Sequence, residues 1–323
     1  MRQLLPDLKL FMIKNAKVEN FGPIREFYGD FSFLNLLIGP NGTGKSYLLM
    51  LIYSMISTFI SDSEHCDIEH KLRAVFQERD IRNLITWGCS RSIAKISFGN
   101  NSELCLKIDK EIPSIFSAKQ LTREDLDLRM DHFNFITMSD VLAVYSAVSS
   151  LIEDHPSYVG ISDAFSDFCN KLLNLDYPEH GREWSDLVED LERRMRVRFE
   201  VQGGKIVAEV SKKRMGIEQV SSGMRTFSAL CLALKKGLIC PRSILFIEEP
   251  EIHLHPQWLA NMAELITEIA KRNVQVFVST HSDCFLKKVN DIVVGDDELE
   301  ELTRVCLFGT DSKPQMYGSE FFF

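Results

Sequence analysis

An α/β fold built on a largely parallel sheet is predicted by three features of the sequence. Residues 31–38 form a nearly all-apolar run, the pattern of a strand buried on both faces, and it enters a glycine-rich turn. An apolar stretch over about 45–60 follows the turn and reads as a long helix. Two more buried-strand runs, 243–247 and 274–279, are separated by a helical segment at 255–271, the alternation a parallel sheet requires.

The other elements follow in chain order. Residues 11–19 read as a strand and Gly22-Pro23 as a loop. Segments 93–98 and 104–108 alternate like strands and are joined through Gly99-Asn100-Asn101. Residues 133–138 are a further short apolar run, and from 139 to about 196 the texture becomes helical, polar and acidic. Segments 197–201 and 205–210 flank Gln202-Gly203-Gly204 and predict a hairpin, while 225–234 predict an apolar helix. Asp296-Asp297 falls in an acidic loop without a strand pattern around it. The expected organisation is an α/β lobe from residues 1–138 and 241–323, interrupted by a mainly helical lobe at 139–240 that carries the hairpin.

Bulk properties narrow the class. A chain of 323 residues fits one large domain or two coupled lobes. A net charge of -9 argues against coating nucleic acid with the whole surface, because phosphate neutralisation needs clustered Lys and Arg. The eight cysteines show no CxxC pair and no zinc spacing, the usage of reduced thiols in a cytoplasmic protein. The start lacks a secretory h-region, and the apolar run at 48–60 is too short and mixed to span a bilayer, so a cytoplasmic protein without a membrane anchor is expected.

Gly39-Pro40-Asn41-Gly42-Thr43-Gly44-Lys45-Ser46 fits GxxxxGK[ST], the phosphate-binding P-loop. Glycines let the backbone wrap a phosphate chain, and the helix beginning at Lys45 turns its positive end toward it. Lys45 is expected on the β- and γ-phosphates of ATP and Ser46 on Mg²⁺, with Tyr47 assigned to the same nucleotide site. Ile244-Leu245-Phe246-Ile247-Glu248-Glu249 is an apolar strand ending in two carboxylates. Glu248 is expected in the Mg²⁺ shell, and Glu249 as the general base that polarises water. Val276-Phe277-Val278-Ser279-Thr280-His281 ends a strand on a His able to report the γ-phosphate. Ser221, Ser222 and Gly223 precede an apolar helix, where hydroxyls and free N–H groups can meet an anion.

These motifs, in this order, resemble the ABC-type ATPase set: Walker A, signature, Walker B and H-loop. The signature matches only through Ser221, Ser222 and Gly223. The stretches 13–24 and 34–42, together with Glu249-Pro250-Glu251-Ile252-His253-Leu254-His255-Pro256-Gln257, resemble AAA-type ATPases related to the OLD (overcoming lysogenization defect) family and to SMC proteins. Glu248 stands where that group carries Asp, a departure that bears on the tightness of the Mg²⁺ site. The resemblance covers about 1–50 and 216–290 well and the middle loosely.

The resemblance implies a P-loop NTPase fold of the ABC-type head kind, with ATP and Mg²⁺ as cofactors. It implies that Ser221, Ser222 and Gly223 act on the nucleotide of a second copy, so that a homodimer, or a larger assembly of copies, is the active unit. About forty residues follow His281, too few for the TOPRIM nuclease of many relatives. The implied activity is ATP hydrolysis that controls a separately encoded effector, a nuclease or toxin, in phage defence. A DNA-repair ATPase acting on DNA ends and a slow ATP-bound scaffold are the alternatives.

Three further groups carry open readings. The Q-loop position has two candidates, Gln77 and the pair Ser139-Asp140. Glu251, His253 and His255 allow a metal reading if the alternation places both His on one strand-like face. Arg193, Arg194, Arg196, Arg198, Lys205, Lys212, Lys213 and Arg214 form the basic concentration of the chain. A solvated face is the favoured reading there, and a nucleic-acid contact the minor one, since aromatic interleaving is sparse.

Overall fold

The computed structural model describes residues 12–61, 67–122, 133–137, 162–309 and 314–318. Strands β1 (Ile13–Phe21), β2 (Ile24–Asp30) and β3 (Leu34–Ile38) lead into helices α1 (Lys45–Ile60) and α2 (Ile68–Phe76). Strands β4 (Arg91–Phe98), β5 (Glu103–Asp109), β6 (Ile115–Lys119) and β7 (Phe133–Thr137) follow. Helices α3 (Asp163–Asn174) and α4 (Ser185–Met195) precede β8 (Val197–Gln202), β9 (Lys205–Val210), β10 (Lys213–Gly216) and helix α5 (Ser222–Lys235). The chain then runs through β11 (Ile244–Glu248), α6 (Pro256–Lys271), β12 (Gln275–Thr280), α7 (Asp283–Val293), α8 (Asp297–Leu302), β13 (Thr303–Leu307) and β14 (Gln315–Tyr317).

The central sheet has the order β14-β13-β3-β12-β11-β7, parallel throughout except for β14. Every residue of β3, β11 and β12 is buried, which is why these strands read as continuous apolar runs. The one polar residue inside β3, Asn35, is fully used: Oδ1 accepts from Ser32 N at 2.8 Å, and Nδ2 donates to Ser32 O and Val276 O. That local bond turns the chain ahead of the sheet, so the expected strand at 31–38 starts only at Leu34.

A second sheet, β2-β1-β4-β5-β6, is antiparallel, and its strands alternate buried and exposed as one-sided sheets do. Gln275, at the start of β12, staples it to the central sheet, accepting from Ile13 N and donating to Ile13 O and Ser32 O. Helix α1 packs with both sheets in one apolar cluster and buries side chains on every side, including Leu48, Leu49, Ile52, Met55 and Ile56. It has no side-chain N-cap and four isoleucines or threonines in its last three turns, yet each buried aliphatic contributes about 1.5–3 kcal/mol, more than any propensity deficit of roughly 0.7 kcal/mol. Packing decides this helix.

The opposite face of the central sheet is covered by α3 to α7 and the small sheet β10-β9-β8. Leu34, Leu36, Leu245, Ile247, Val276 and Val278 share one buried cluster with Leu172, Trp184, Leu191 and Phe227. The described part of 139–240 therefore has no separate core: its apolar face is laid on the sheet. Lys71 of α2, paired with Asp163 and Asp167 at 2.5 and 2.9 Å, ties α3 to the other layer, and Tyr53 of α1 donates to Asp167.

Two expectations need correction. Asp296 is not in a free acidic loop: it caps α8, accepting from Glu298 N and Leu299 N, and α8 leads straight into β13, a member of the central sheet beside β3. Nor do His253 and His255 share a strand face. Residues 249–254 form successive turns closed by Ile252 N to Glu249 O and Leu254 N to Glu251 O, His253 has φ +61°, and His255 precedes α6 as its N-cap. Period-two spacing in a turn carries no facing information.

Candidate nucleotide site

The strand order sets up the site. β3, β12 and β11 are neighbours running the same way, so the ends of all three reach one edge of the sheet, where open α/β folds bind ligands. The turn 39–44 leaves β3, His281 follows β12, and Glu248 and Glu249 sit at the end of β11.

The turn is fixed by its own chain. Gly39 (φ +151°) donates its N–H to Thr280 O, and a Cβ there would overlap the Phe308 carbonyl oxygen of the segment after β13. Gly44 (φ +108°) begins α1 against Ile24, 2.6 Å from where a Cβ would stand. Thr43 Oγ1 donates to Pro40 O, and Asn41 and Gly42 stay exposed at the crest. Lys45 is 6% exposed, and its ammonium donates to Gly39 O at 2.6 Å and Pro40 O at 2.8 Å. Ser46 is half-buried in the first turn of α1, and Tyr47 is partly exposed, its ring tilted against Phe76.

Across the edge stand three carboxylates. Glu248 is 8% exposed and registers with Ser279 in the ladder. Glu249 has φ +48°, donates its N–H to Ser279 O, and through Oε1 meets His281 Nδ1 at 3.0 Å. Glu251 accepts from Thr280 Oγ1 at 2.6 Å and from His281 N at 3.3 Å. Burial pushes the Lys45 ammonium below its ordinary value, while Glu249, Glu251 and Glu248 pull it back up. No carboxylate stands within 4.0 Å of Lys45 among the described residues, so a buried cation is seated on carbonyls alone.

That seat fits a polyphosphate: a cation without counter-ion, open space around Gly42, and the positive end of α1. The Ser46 hydroxyl and the Glu248 carboxylate are oxygen donors of the kind Mg²⁺ takes.

The expected signature residues lie at the start of α5. Ser221 is the exposed N-cap with φ -60° and ψ 150°, makes no side-chain cap bond, and accepts from Arg225 N through its carbonyl. Gly223 is buried against the turn after β11, where a Cβ would stand 2.5 Å from His253 O. Among the described residues no hydrogen bond or ion pair joins Ser221, Ser222 or Gly223 to the P-loop. Gln77 is the C-cap of α2 (φ +55°), with its amide on Ala74 O. Ser139 and Asp140 lie outside the described residues, as does Cys66.

Sequence reasoning considered Glu251 only in the metal reading with His253 and His255, and assigned no role to Thr280 or to Phe308, whose carbonyl closes on Gly39. The signal for Glu251 was a third carboxylate two residues past Glu249. Half of the basic concentration is paired locally: Arg193 and Arg194 with Asp190, Arg194 also with Glu264, Arg198 with Glu200 and Arg214 with Glu209. Among the described residues no group of three or more His, Cys, Asp or Glu side chains could hold a metal ion, and no helix is long and apolar enough to cross a membrane.

Comparison with known proteins extends the geometry. Residues 12–137 match the family model described as an AAA ATPase domain. Residues 189–286 match one described as an AAA domain, putative AbiEii toxin, Type IV TA system. Over 329 residues the chain is 24% identical to the Septu protein PtuA of Bacillus thuringiensis, covering 90% of this chain and 77% of that one. An Smc head bound to the C-terminal winged-helix domain of ScpA superposes with a TM-score of 0.60 at 18% identity, covering 94% of this chain and 96% of that one. The SMC head of Thermotoga maritima superposes with a TM-score of 0.53 at 12% identity, covering 95% and 98%. Two AAA-domain family models thus match separate stretches of this chain, and its fold is that of a P-loop NTPase head.

Proposed function

We propose that this protein binds ATP with Mg²⁺ and hydrolyses it as a pair of copies, each presenting Ser221, Ser222 and Gly223 to the nucleotide on the other's P-loop. The observation that carries the reading is Lys45, a buried ammonium with carbonyl partners only, at the edge where three carboxylates converge. Lys45 binds the β- and γ-phosphate oxygens, with the turn from Gly39 to Gly44 supplying backbone N–H groups. Ser46 and Glu248 would hold Mg²⁺, which would neutralise phosphate charge. Tyr47 borders the nucleotide.

Glu249 takes the proton of the attacking water. Its Oε1 lies 3.0 Å from His281 Nδ1 at the same edge of the sheet. His281 meets the γ-phosphate from the same turn, which links phosphate contact to the position of the base.

Because the motif-bearing segments lie in one sheet-backed body, we also read 139–240 as the lobe that transmits nucleotide state. A cytoplasmic protein controlling a separate effector, a nuclease or toxin in defence against phage, is the biological role we favour. The similarity to the Septu protein PtuA and the toxin–antitoxin wording of the family description support that direction.

Equilibrium ATP binding and Mg²⁺-dependent turnover of wild type and Lys45→Ala test the reading. Two charge-assisted hydrogen bonds of about 1.5–3 kcal/mol each predict an affinity loss of about 100-fold or more. A folded Lys45→Ala protein that binds ATP as wild type does would refute it.

A further inference from the structure

The site contains one carboxylate that the proposed chemistry does not use. Glu251 is 7% exposed at its side chain, carried on the turn between β11 and α6. Its Oε1 accepts the Thr280 hydroxyl at 2.6 Å and the His281 N–H at 3.3 Å. Thr280 Oγ1 in turn accepts from Ser282 N at 3.0 Å, so the hydroxyl donates to Glu251 and receives from the start of α7. The Thr280 carbonyl holds Gly39 N, the first residue of the P-loop turn. One carboxylate oxygen thus gathers residues 280–282, while Oε2 is buried without a hydrogen-bond partner.

We infer that Glu251 is the positioning residue of the hydrolytic site: through Oε1 it holds the Thr280–His281 turn so that His281 faces Glu249 and the γ-phosphate. It touches no reacting atom. Its geometry explains why a buried carboxylate stands here at all. Two donors, one of them a backbone N–H that no strand or helix ladder uses, need one acceptor at a strand end where the sheet supplies none. A side chain reaching from the β11 side fixes His281 to the same turn that carries Glu249, which makes their 3.0 Å approach a property of one short loop. Gln would keep the arrangement, because its amide oxygen accepts as Oε1 does. Ala would leave both donors unmet and free the turn.

The inference rests on the hydrolytic reading, and the experiment separates the two. Glu251→Ala is expected to lower kcat at saturating ATP by roughly 10–100-fold, with ATP affinity unchanged, because misplacing an oriented group by about 1 Å costs that much. Glu251→Gln restores turnover to within about threefold of wild type. Thr280→Val lowers kcat, and combining it with Glu251→Ala adds little, since both remove one interaction. Hydrogen exchange of the His281 amide is faster in Glu251→Ala and returns toward wild type in Glu251→Gln. A chain with no turnover above Lys45→Ala would end the hydrolytic reading and leave the amide measurement to decide on Glu251. Wild-type kcat and wild-type amide exchange in Glu251→Ala overturn the inference. So does a Glu251→Gln loss as large as that of Ala, which would assign the role to the negative charge rather than to Oε1.

Discussion

Two helix N-termini in this molecule use the same physics in opposite ways. At α1 the chain closes around its own helix start: Gly39 N bonds Thr280 O, Thr43 bonds Pro40 O, and Lys45 folds back onto Gly39 and Pro40. At α5 the helix start is left open, with Ser221 exposed in a capping conformation but making no cap bond. Both ends carry unsatisfied N–H groups and a positive dipole. The first is closed by its own chain, and in our reading it cradles the phosphates there. The second has hydroxyls and N–H groups with no acceptor from its own P-loop, which is the condition for reaching a phosphate on another copy.

The largest break falls on the closed end. Glu249→Gln fills the same space and cannot take a proton, so turnover should fall by about 10²–10⁴-fold while ATP still binds. Single-turnover hydrolysis with labelled ATP measures it. If Glu248→Gln stops hydrolysis and spares Mg²⁺-dependent binding, while Glu249→Gln abolishes that binding, the two roles are exchanged.

The open end is tested by Ser222→Arg. An uncompensated charge at a buried contact costs several kcal/mol, so nucleotide-driven pairing should weaken by roughly 100-fold while monomer binding of ATP persists. Sedimentation with a non-hydrolysable ATP analogue reads the pairing. Mixing the variant with Lys45→Ala should return part of the activity, because one of the paired sites then keeps an intact P-loop and an intact helix start. A protein that turns over fully as a monomer in every nucleotide state would remove the contrast between the two ends.

A smaller effect sharpens the comparison at Gly223. In an open helix turn Gly→Ala stabilises by about 1 kcal/mol. Here the added Cβ would stand 2.5 Å from His253 O, tighter than packed atoms tolerate. Overpacking of this kind costs about 1–3 kcal/mol, so Gly223→Ala should lower stability in a denaturant titration despite its better propensity. A gain would mean that the α5 start is not seated on the turn after β11.

Much of the closed end was legible in the sequence and little of its surroundings. The all-apolar texture of β3, β11 and β12 comes from burial on both faces, and a pattern that strong survives any context. The P-loop residues follow from the demands of phosphate on backbone and charge. β2 was hidden because the exposed pair Arg25-Glu26 breaks its alternation, and α8 with β13 because Asp297 to Glu301 reads as solvated acid until Asp296 caps it. The paired histidines 253 and 255 misled through a spacing that belongs to strands but arose in turns. The sequence offered Glu251 only a metal reading beside the two histidines, since its contacts depend on Thr280 and His281 arriving from a strand 29 and 30 positions away.

The smallest expected effect is a pH dependence that distinguishes the two ends. Lys45 must be an ammonium to hold phosphate, and burial lowers its value below the ordinary 10.5, with the three carboxylates only partly opposing. The proton is therefore lost from the free site earlier than from an exposed lysine. Above that depressed value, binding must take up a proton, so ATP affinity falls by about tenfold per pH unit. Below it the affinity does not depend on this group. Folding of the free chain moves the other way. Between the folded and unfolded values of Lys45 the unfolded chain binds more protons, so this residue's contribution to stability rises with pH in that window. A guanidinium keeps its charge throughout, so Lys45→Arg should bind ATP more weakly but with no such fall. Isothermal titration of ATP in buffers from pH 7 to about 10 compares the two proteins. An equal decline in Lys45→Arg would assign the titration to another group. The helix start at Ser221 carries no titrating side chain in Ser221, Ser222 or Gly223, so its share of the binding, measured as nucleotide-driven pairing at saturating ATP, should not follow the Lys45 curve.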